Sequence, residues 1–277
     1  MKTALLLAAG LCAATQCLAR EEPLWEAGIG AAAIDFPHYR GSTQSSAYVF
    51  PFPYFVYRGE LLKADRRGVR GLFVKTESVN VDLSLGASPP VSSGDDRARE
   101  GMPDLRGSVE VGPTIALTAW HSVDRRVKLD LRVSARAAAT IESRSRFIGG
   151  ELFPHVNLDV RGPLGYAGWR LGLLAGPMYA DHRNNAYFYS VAPQFATPSR
   201  PAYEAHGGFA GTQFVAALSK RFPKFWIGAF ARYDSLRGAV FEESPLVGSK
   251  RYVAGGLGVS WILGTSKERV HANEEDE

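Results

Sequence analysis

Residues 126–141 read RVKLDLRVSARAAATI and alternate without a break. Val127, Leu129, Leu131, Val133, Ala135, Ala137, Ala139 and Ile141 fall on one parity. Lys128, Asp130, Arg132, Ser134, Arg136, Ala138 and Thr140 fall on the other. A period of two is that of a β-strand, whose successive side chains leave opposite faces. The run exceeds the usual ~5–6 residues of a soluble strand. In a soluble sandwich the polar face would meet water and the apolar face a core. In a membrane barrel the apolar face meets lipid and the charged face lines a wet interior. This stretch alone fits both.

The same reading along the chain predicts a series of strands. The first covers 24–34, followed by a loop at 35–45. The aromatic run 48–57, YVFPFPYFVY, sets Tyr48, Phe50, Phe52 and Tyr54 against Pro51 and Pro53. Proline cannot donate to a ladder and belongs at edges or bulges. A closed barrel has no edge, so a bend or bulge is expected here. Short strands at 61–64 and 69–74 flank a turn at 65–68. Further strands follow at 78–86, 105–119, 126–141, 152–160, 169–180, 209–221, 225–233 and 252–263. The count is about twelve, and with an even count both ends of the barrel chain lie on one side. All the long connections, 35–45, 87–104, 142–150, 181–207 and 234–251, then fall at one end. The short ones, 58–60, 75–77, 120–125, 161–167 and 222–224, fall at the other. Outer-membrane barrels have short periplasmic turns and long outer loops, whereas a soluble barrel has no reason for this asymmetry.

The first residues point to the same compartment. Lys2, the apolar run 4–14 and the sequence Cys17-Leu18-Ala19 before Arg20 have the form of a cleaved export signal over 1–19. The apolar run is shorter than the ~20 residues of a membrane-spanning helix. Cys12 and Cys17, the only two cysteines, would leave with it, so no disulfide or thiolate metal site is expected in the exported chain. The expected domains are the signal (1–19), the barrel (20–263) and a polar, acidic, periplasmic tail (264–277) that ends Asn273-Glu-Glu-Asp-Glu. Composition agrees. Mean hydropathy is −0.11, and 29 Gly, 15 Phe, 11 Tyr and 5 Trp suit strands, tight turns and interfacial aromatic girdles. A formal net charge of +4 is too small to argue for nucleic acid.

Candidate chemistry is sparse. The six histidines show no zinc-ligand spacing, and no Gly-rich loop opens a helix to cradle a phosphate. Asp181, His182, Ser190 and His206 share the longest loop, but spacing cannot place a nucleophile against a base, and solvated loop residues are the simpler expectation. No catalytic residue, cofactor or metal is assigned. Two groups stand out. Lys128, Asp130, Arg132 and Arg136 would face the lumen, as an ion-pair network or as a filter for an anionic solute. Tyr187, Phe188 and Tyr189, in the outer loop, would pack it into the barrel mouth or grip a ligand.

Several stretches together resemble the MipA/OmpV family of outer-membrane proteins. Pro37-x-Tyr39-x-Gly41 and Tyr48-x-x-Pro51-x-Pro53-x-x-x-Tyr57-x-Gly59 are similar to its first hairpin. Asn185-Ala-Tyr187-Phe188-Tyr189-Ser190-Val191 resembles its aromatic loop motif. Tyr233-x-x-Leu236, Ser244-Pro245-Leu246-Val247 and Gly258-Val259-x-Trp261 resemble its C-terminal signature. The tail after Leu263 departs from it. The resemblance implies a non-enzymatic barrel in the Gram-negative outer membrane. It also implies a scaffold role, with a lytic transglycosylase and a penicillin-binding synthase as partners besides the lipid. A small-solute channel and a surface adhesin are the alternatives it leaves open.

Overall fold

The structure, a computed structural model, describes residues 21–58, 62–65, 68–71, 74–75 and 79–271. The export-signal expectation at 1–19 and the acidic end of the tail, 272–277, lie outside the described residues. Ten long antiparallel strands make up the wall: β2 (Trp25–Pro37), β3 (Ser45–Arg58), β7 (Val79–Ser88), β8 (Ser108–His121), β9 (Val127–Thr140), β10 (Phe147–Arg161), β11 (Trp169–Ala180), β12 (Gly208–Arg221), β13 (Phe225–Ser235) and β14 (Arg251–Thr265). Short strands β4 (Leu62–Asp65), β5 (Gly68–Gly71) and β6 (Val74–Lys75) lie between β3 and β7 in the chain. Among the described residues each strand of the sheet pairs with its sequence neighbour except β5 with β6, and β14 pairs with β2, giving a 13-stranded curled sheet that runs from β5 round to β6. Its two edges approach where β5 comes beside β7. A separate two-stranded sheet joins β1 (Glu21–Pro23) to β15 (Arg269–His271), so part of the stretch after Leu263 is ordered strand.

The two faces of the wall are inverted relative to a water-soluble protein. On β9, Leu131 and Val133 are exposed, while Asp130, Ser134, Ala138 and Thr140 are buried. Ile29, Phe55, Ile115, Leu152, Phe214, Leu257 and Trp261 also point outward and are exposed. Asp82, Thr114, Gln213, Asp234 and Ser260 point inward and are buried. Such an apolar outer band around a polar interior is stable only in lipid. Among the described residues no helix is long and apolar enough to cross a membrane. The chain is an all-β membrane-barrel protein that crosses with strands.

The connections 38–44, 89–107, 141–146, 181–207 and 236–250 lie at one end of the sheet, the loop end. The connections 122–126, 162–168 and 222–224 lie at the other, the turn end, as do β1 and β15. The three longest connections, 89–107, 181–207 and 236–250, all lie at the loop end, but 38–44 and 141–146 are no longer than the turn-end connection 162–168, and most of each short turn expected at 58–60 and 75–77 lies outside the described residues. Boundaries differ from the sequence reading in places. β8 starts at Ser108, not 105, and runs through Trp120 and His121, which the alternation assigned to a turn.

The expected bulge at Pro51 and Pro53 is absent: β2 and β3 pair in one unbroken register, with Ile29 opposite Pro53 and Ala31 opposite Pro51. The reason is that β3 is an edge over this stretch. On its far side, among the described residues, it meets β4 only at Tyr57 and Arg58. Inside the wall, Pro113 and Pro154 sit in strands whose register does not shift at them, whereas a shift follows Pro177.

Leu257→Arg, on the outer face, is expected to cost ~2–4 kcal/mol when the protein is refolded into phospholipid vesicles. Leu164→Arg, in a turn-end loop, is expected to be near neutral. Urea titrations of the refolded proteins check both, and equal costs would refute the lipid-facing assignment.

Candidate functional site: the interior and its loop-end cap

The interior has two unlike walls. On β7–β10 many inward residues are charged, and they pair within a strand or with one of the next two strands. Arg132 Nη2 donates to Asp82 Oδ2 at 3.0 Å. Arg136 bridges Glu110 and Glu151, at 3.2 and 3.5 Å. Lys128 Nζ lies 3.5 Å from Asp130 Oδ1, which also accepts from Thr118 Oγ1. On β13, β14, β2 and β3 glycine and aromatic residues are prominent on the inner face, beside the paired Arg232 and Asp234 of β13. A Cβ on Gly30 would strike the Phe52 ring, one on Gly228 the Trp226 ring and one on Gly256 the Phe230 ring. Only glycine leaves room for these rings against the backbone. Tyr54 and Trp226 meet at a centroid distance of 6.5 Å. Below them, at the turn end, Glu26 is fully buried between Arg58 (2.9 Å) and Arg221 (3.0 Å).

The loop end is closed by its own loops. Loop 38–44 meets loop 89–107 through Asp96, which accepts from Ser42 Oγ at 2.6 Å and pairs with His38 Nδ1 at 3.1 Å. Loop 89–107 meets loop 181–207 through two buried arginines. Arg99 donates to the Phe188 carbonyl and its guanidinium lies over the Tyr39 ring. Arg200 donates to the carbonyls of Ala98 and Glu100. Loop 181–207 meets loop 236–250 where Tyr189 stacks on Phe241 at 3.7 Å and Ser244 Oγ donates to the Tyr189 carbonyl. Tyr39 closes the ring by donating to the Leu246 carbonyl at 2.7 Å. Val91, Leu105, Val191, Leu236 and Phe241 form the dry centre of this cap, packed on the inward side chains Phe153 and Met178.

The aromatic trio expected in a loop lies in a helix, α1 (His182–Tyr189). Asp181 caps it by accepting from the Asn184 N–H at 2.7 Å, an N-cap signal present in the sequence. Tyr187 reaches the backbone of Arg106, Phe188 packs against the cap core and Tyr189 is inside it. Ser190 accepts from the Ala205 N–H, and His182 lies 4.0 Å from Glu204. The sequence reading gave no site role to Tyr39, Arg99, Arg200 and Phe241, whose cross-loop partners are far away in the chain. Burial drives the Tyr39 and Tyr189 hydroxyls well above the ordinary tyrosine range.

A family model described as MltA-interacting protein MipA matches residues 29–263. The chain belongs to the MipA family. The match spans the barrel from β2 to β14 together with the cap, so the packed loops lie within this MipA-family region. No curated protein matches. Among solved structures, a bacterial polysaccharide outer membrane secretin shares 9% identity over 86% of this chain and 99% of its own, at a TM-score of 0.42. An outer membrane channel from Pseudomonas putida shares 12% over 86% and 96%, at 0.41. OprG from Pseudomonas aeruginosa shares 10% over 86% and 94%, at 0.23. At these scores the likenesses add nothing to the family match.

Two outcomes follow from the buried groups. Glu26→Ala leaves Arg58 and Arg221 facing each other without a counter-charge and is expected to cost ~3–5 kcal/mol, read from the unfolding midpoint in vesicles. The cap holds Tyr39 and Tyr189 in their neutral forms, whereas an unfolded tyrosine titrates near 10. Their stabilisation is whole below that pH and drains away as the pH rises towards their raised values. Protease sensitivity of loops 89–107 and 181–207 is therefore expected to rise above about pH 10, and to do so less in Tyr39→Phe.

Proposed function

We propose that this MipA-family barrel is a non-enzymatic scaffold that holds a peptidoglycan-remodelling enzyme, a lytic transglycosylase, at the inner surface of the outer membrane. The observation that carries the reading is a contrast between the ends. At the loop end, aromatic and charged side chains are engaged with one another. At the turn end, Val123, Leu164 and Tyr166 stand in solvent on turn tips. Leu164 does so with φ +52°, a conformation costly for a branched side chain. Strain held at an exposed tip marks a place where the side chain is wanted outside. The family's description as an MltA-interacting protein names such a partner for the family.

In this reading residues 1–19 are the export signal, the turn end is periplasmic and the tail 264–277 lies on the same side. A penicillin-binding synthase joins through the enzyme already held. The packed cap and the paired charges of Asp82, Glu110, Arg132, Arg136 and Glu151 argue against an axial channel for solutes. With the loop-end aromatics turned inward, the cap also offers an adhesin little grip.

The test has two arms. In planar bilayers the folded protein is expected to be electrically silent, and stable salt-dependent steps would overturn the closed interior. Immobilised protein is expected to retain a purified lytic transglycosylase. The triple change Val123→Asp, Leu164→Gly, Tyr166→Ser is expected to abolish that retention while the barrel still folds, since glycine relaxes the left-handed backbone at 164. Undiminished capture would sink the turn-tip assignment.

A further inference from the structure

The wall is not sealed all the way round. On the side away from β2, β3 pairs with β4 only at Tyr57 and Arg58. On the side away from β8, β7 pairs with β6 only at Asn80 and Val81. Over 45–56 of β3 and 82–88 of β7, no strand among the described residues bridges the two edges. The gap has a top and a bottom. At the loop end the clasp of His38, Ser42 and Gln44 on residues 95–97 ties the two sides together. At the turn end the β4–β5 hairpin lies beside β7.

The sequence of β3 suits a permanent opening. The Arg58 N–H donates to the Leu24 carbonyl, so even-numbered N–H groups of β3 face β2 and odd-numbered ones face the gap. Of the gap-facing positions 49, 51, 53 and 55, two are proline. Each unpaired N–H in hydrocarbon costs several kcal/mol. Pro51 and Pro53 remove two of these donors and deny them to any strand that would zip the edge. The inner face behind the edge is aromatic. Tyr48 and Phe50 are each 39% exposed although they point inward, and Tyr48 stacks on Phe36 at 5.3 Å. Opposite them β7 turns Ser84 and Gly86 inward, and a Cβ on Gly86 would meet Glu110 and Arg136, so the gap leads to the charged wall as well.

We propose that this gap is a lateral window through which an acyl chain of a bilayer lipid enters the interior and lies along Tyr48, Phe50 and Phe52. The window is continuous with the lipid-facing surface: Val49 and Phe55 on one rim and Leu85 on the other are exposed on the outer band. A strand is refused by the prolines. A water-soluble solute meets hydrocarbon at the rim and the cap above it. An acyl chain needs no hydrogen bond and gains from contact with aromatic faces. The window is independent of the scaffold reading, which rests on the turn tips.

The experiment uses the full folded chain in nanodiscs made with a phospholipid that carries a diazirine in one acyl chain. After illumination, labelled residues are mapped by peptide mass spectrometry. Labels on Val49, Phe55 and Leu85 report the outer surface in every case. The expected result is additional labelling of the inward residues Tyr48, Phe50 and Phe52, lost when Ser84→Trp fills the inner side of the gap. Labels confined to outward residues in the wild-type protein would overturn the proposal, whatever the variant does. Inward labelling that persists undiminished in a folded Ser84→Trp protein would overturn it too.

Discussion

A strand in hydrocarbon has nowhere to send its N–H and C=O groups except to the next strand. That one constraint sets the order of the sheet, the pairing of β14 with β2 and the length of every wall strand. It also frees the side chains from the usual task of building a core. The outer faces take Leu, Val and Phe because lipid accepts them. The inner faces take charges because neighbouring strands neutralise them. Arg132 with Asp82, and Arg136 with Glu110 and Glu151, are held by the ladder register itself, which sets β7, β8, β9 and β10 side by side.

The only hydrophobic core of ordinary kind among the described residues is outside the wall strands for the most part, in the cap. There four loops that share no ladder build a small dry centre around Tyr189, Phe241, Leu236 and Leu246. Long-range bonds tie its loops together, and two arginines serve as the cross-ties because a guanidinium can reach several carbonyls at once. The cap and the barrel are thus two different solutions to backbone satisfaction, stacked end to end.

What could be read beforehand follows from this division. The alternation of β9 and the distribution of long and short connections are local features, written in period two and in turn residues, and they give the membrane barrel and its two ends. The family resemblance, carried by Pro51-x-Pro53, by 185–191 and by Gly258-x-x-Trp261, gave the relationship that the family match establishes. The cap was illegible because its contacts join residues such as Tyr39 and Leu246, which no spacing rule connects. Helix α1 had a local signal in Asp181, yet eight residues between strands read as loop. The prolines of β3 call for a bulge only if the wall closes on both sides of the strand. An edge serves proline equally well, and among the described residues β3 meets β4 only at Tyr57 and Arg58.

The ladder between β2 and β14 joins the beginning and the end of the barrel, and β1 and β15 extend that joint past the wall. The sheet is therefore continuous where the polypeptide is not and, among the described residues, least continuous between β3 and β7, where residues 59–78 connect the chain covalently. For assembly this reverses the usual picture of a barrel that shuts when its last strand meets its first. Here that meeting completes the ladder, and closure is left to a covalent tether and a clasp of loops. Linking the residues before β1 to those after β15 and opening the chain within 59–78 would leave every wall ladder intact, with new ends at the one place where the strands already part.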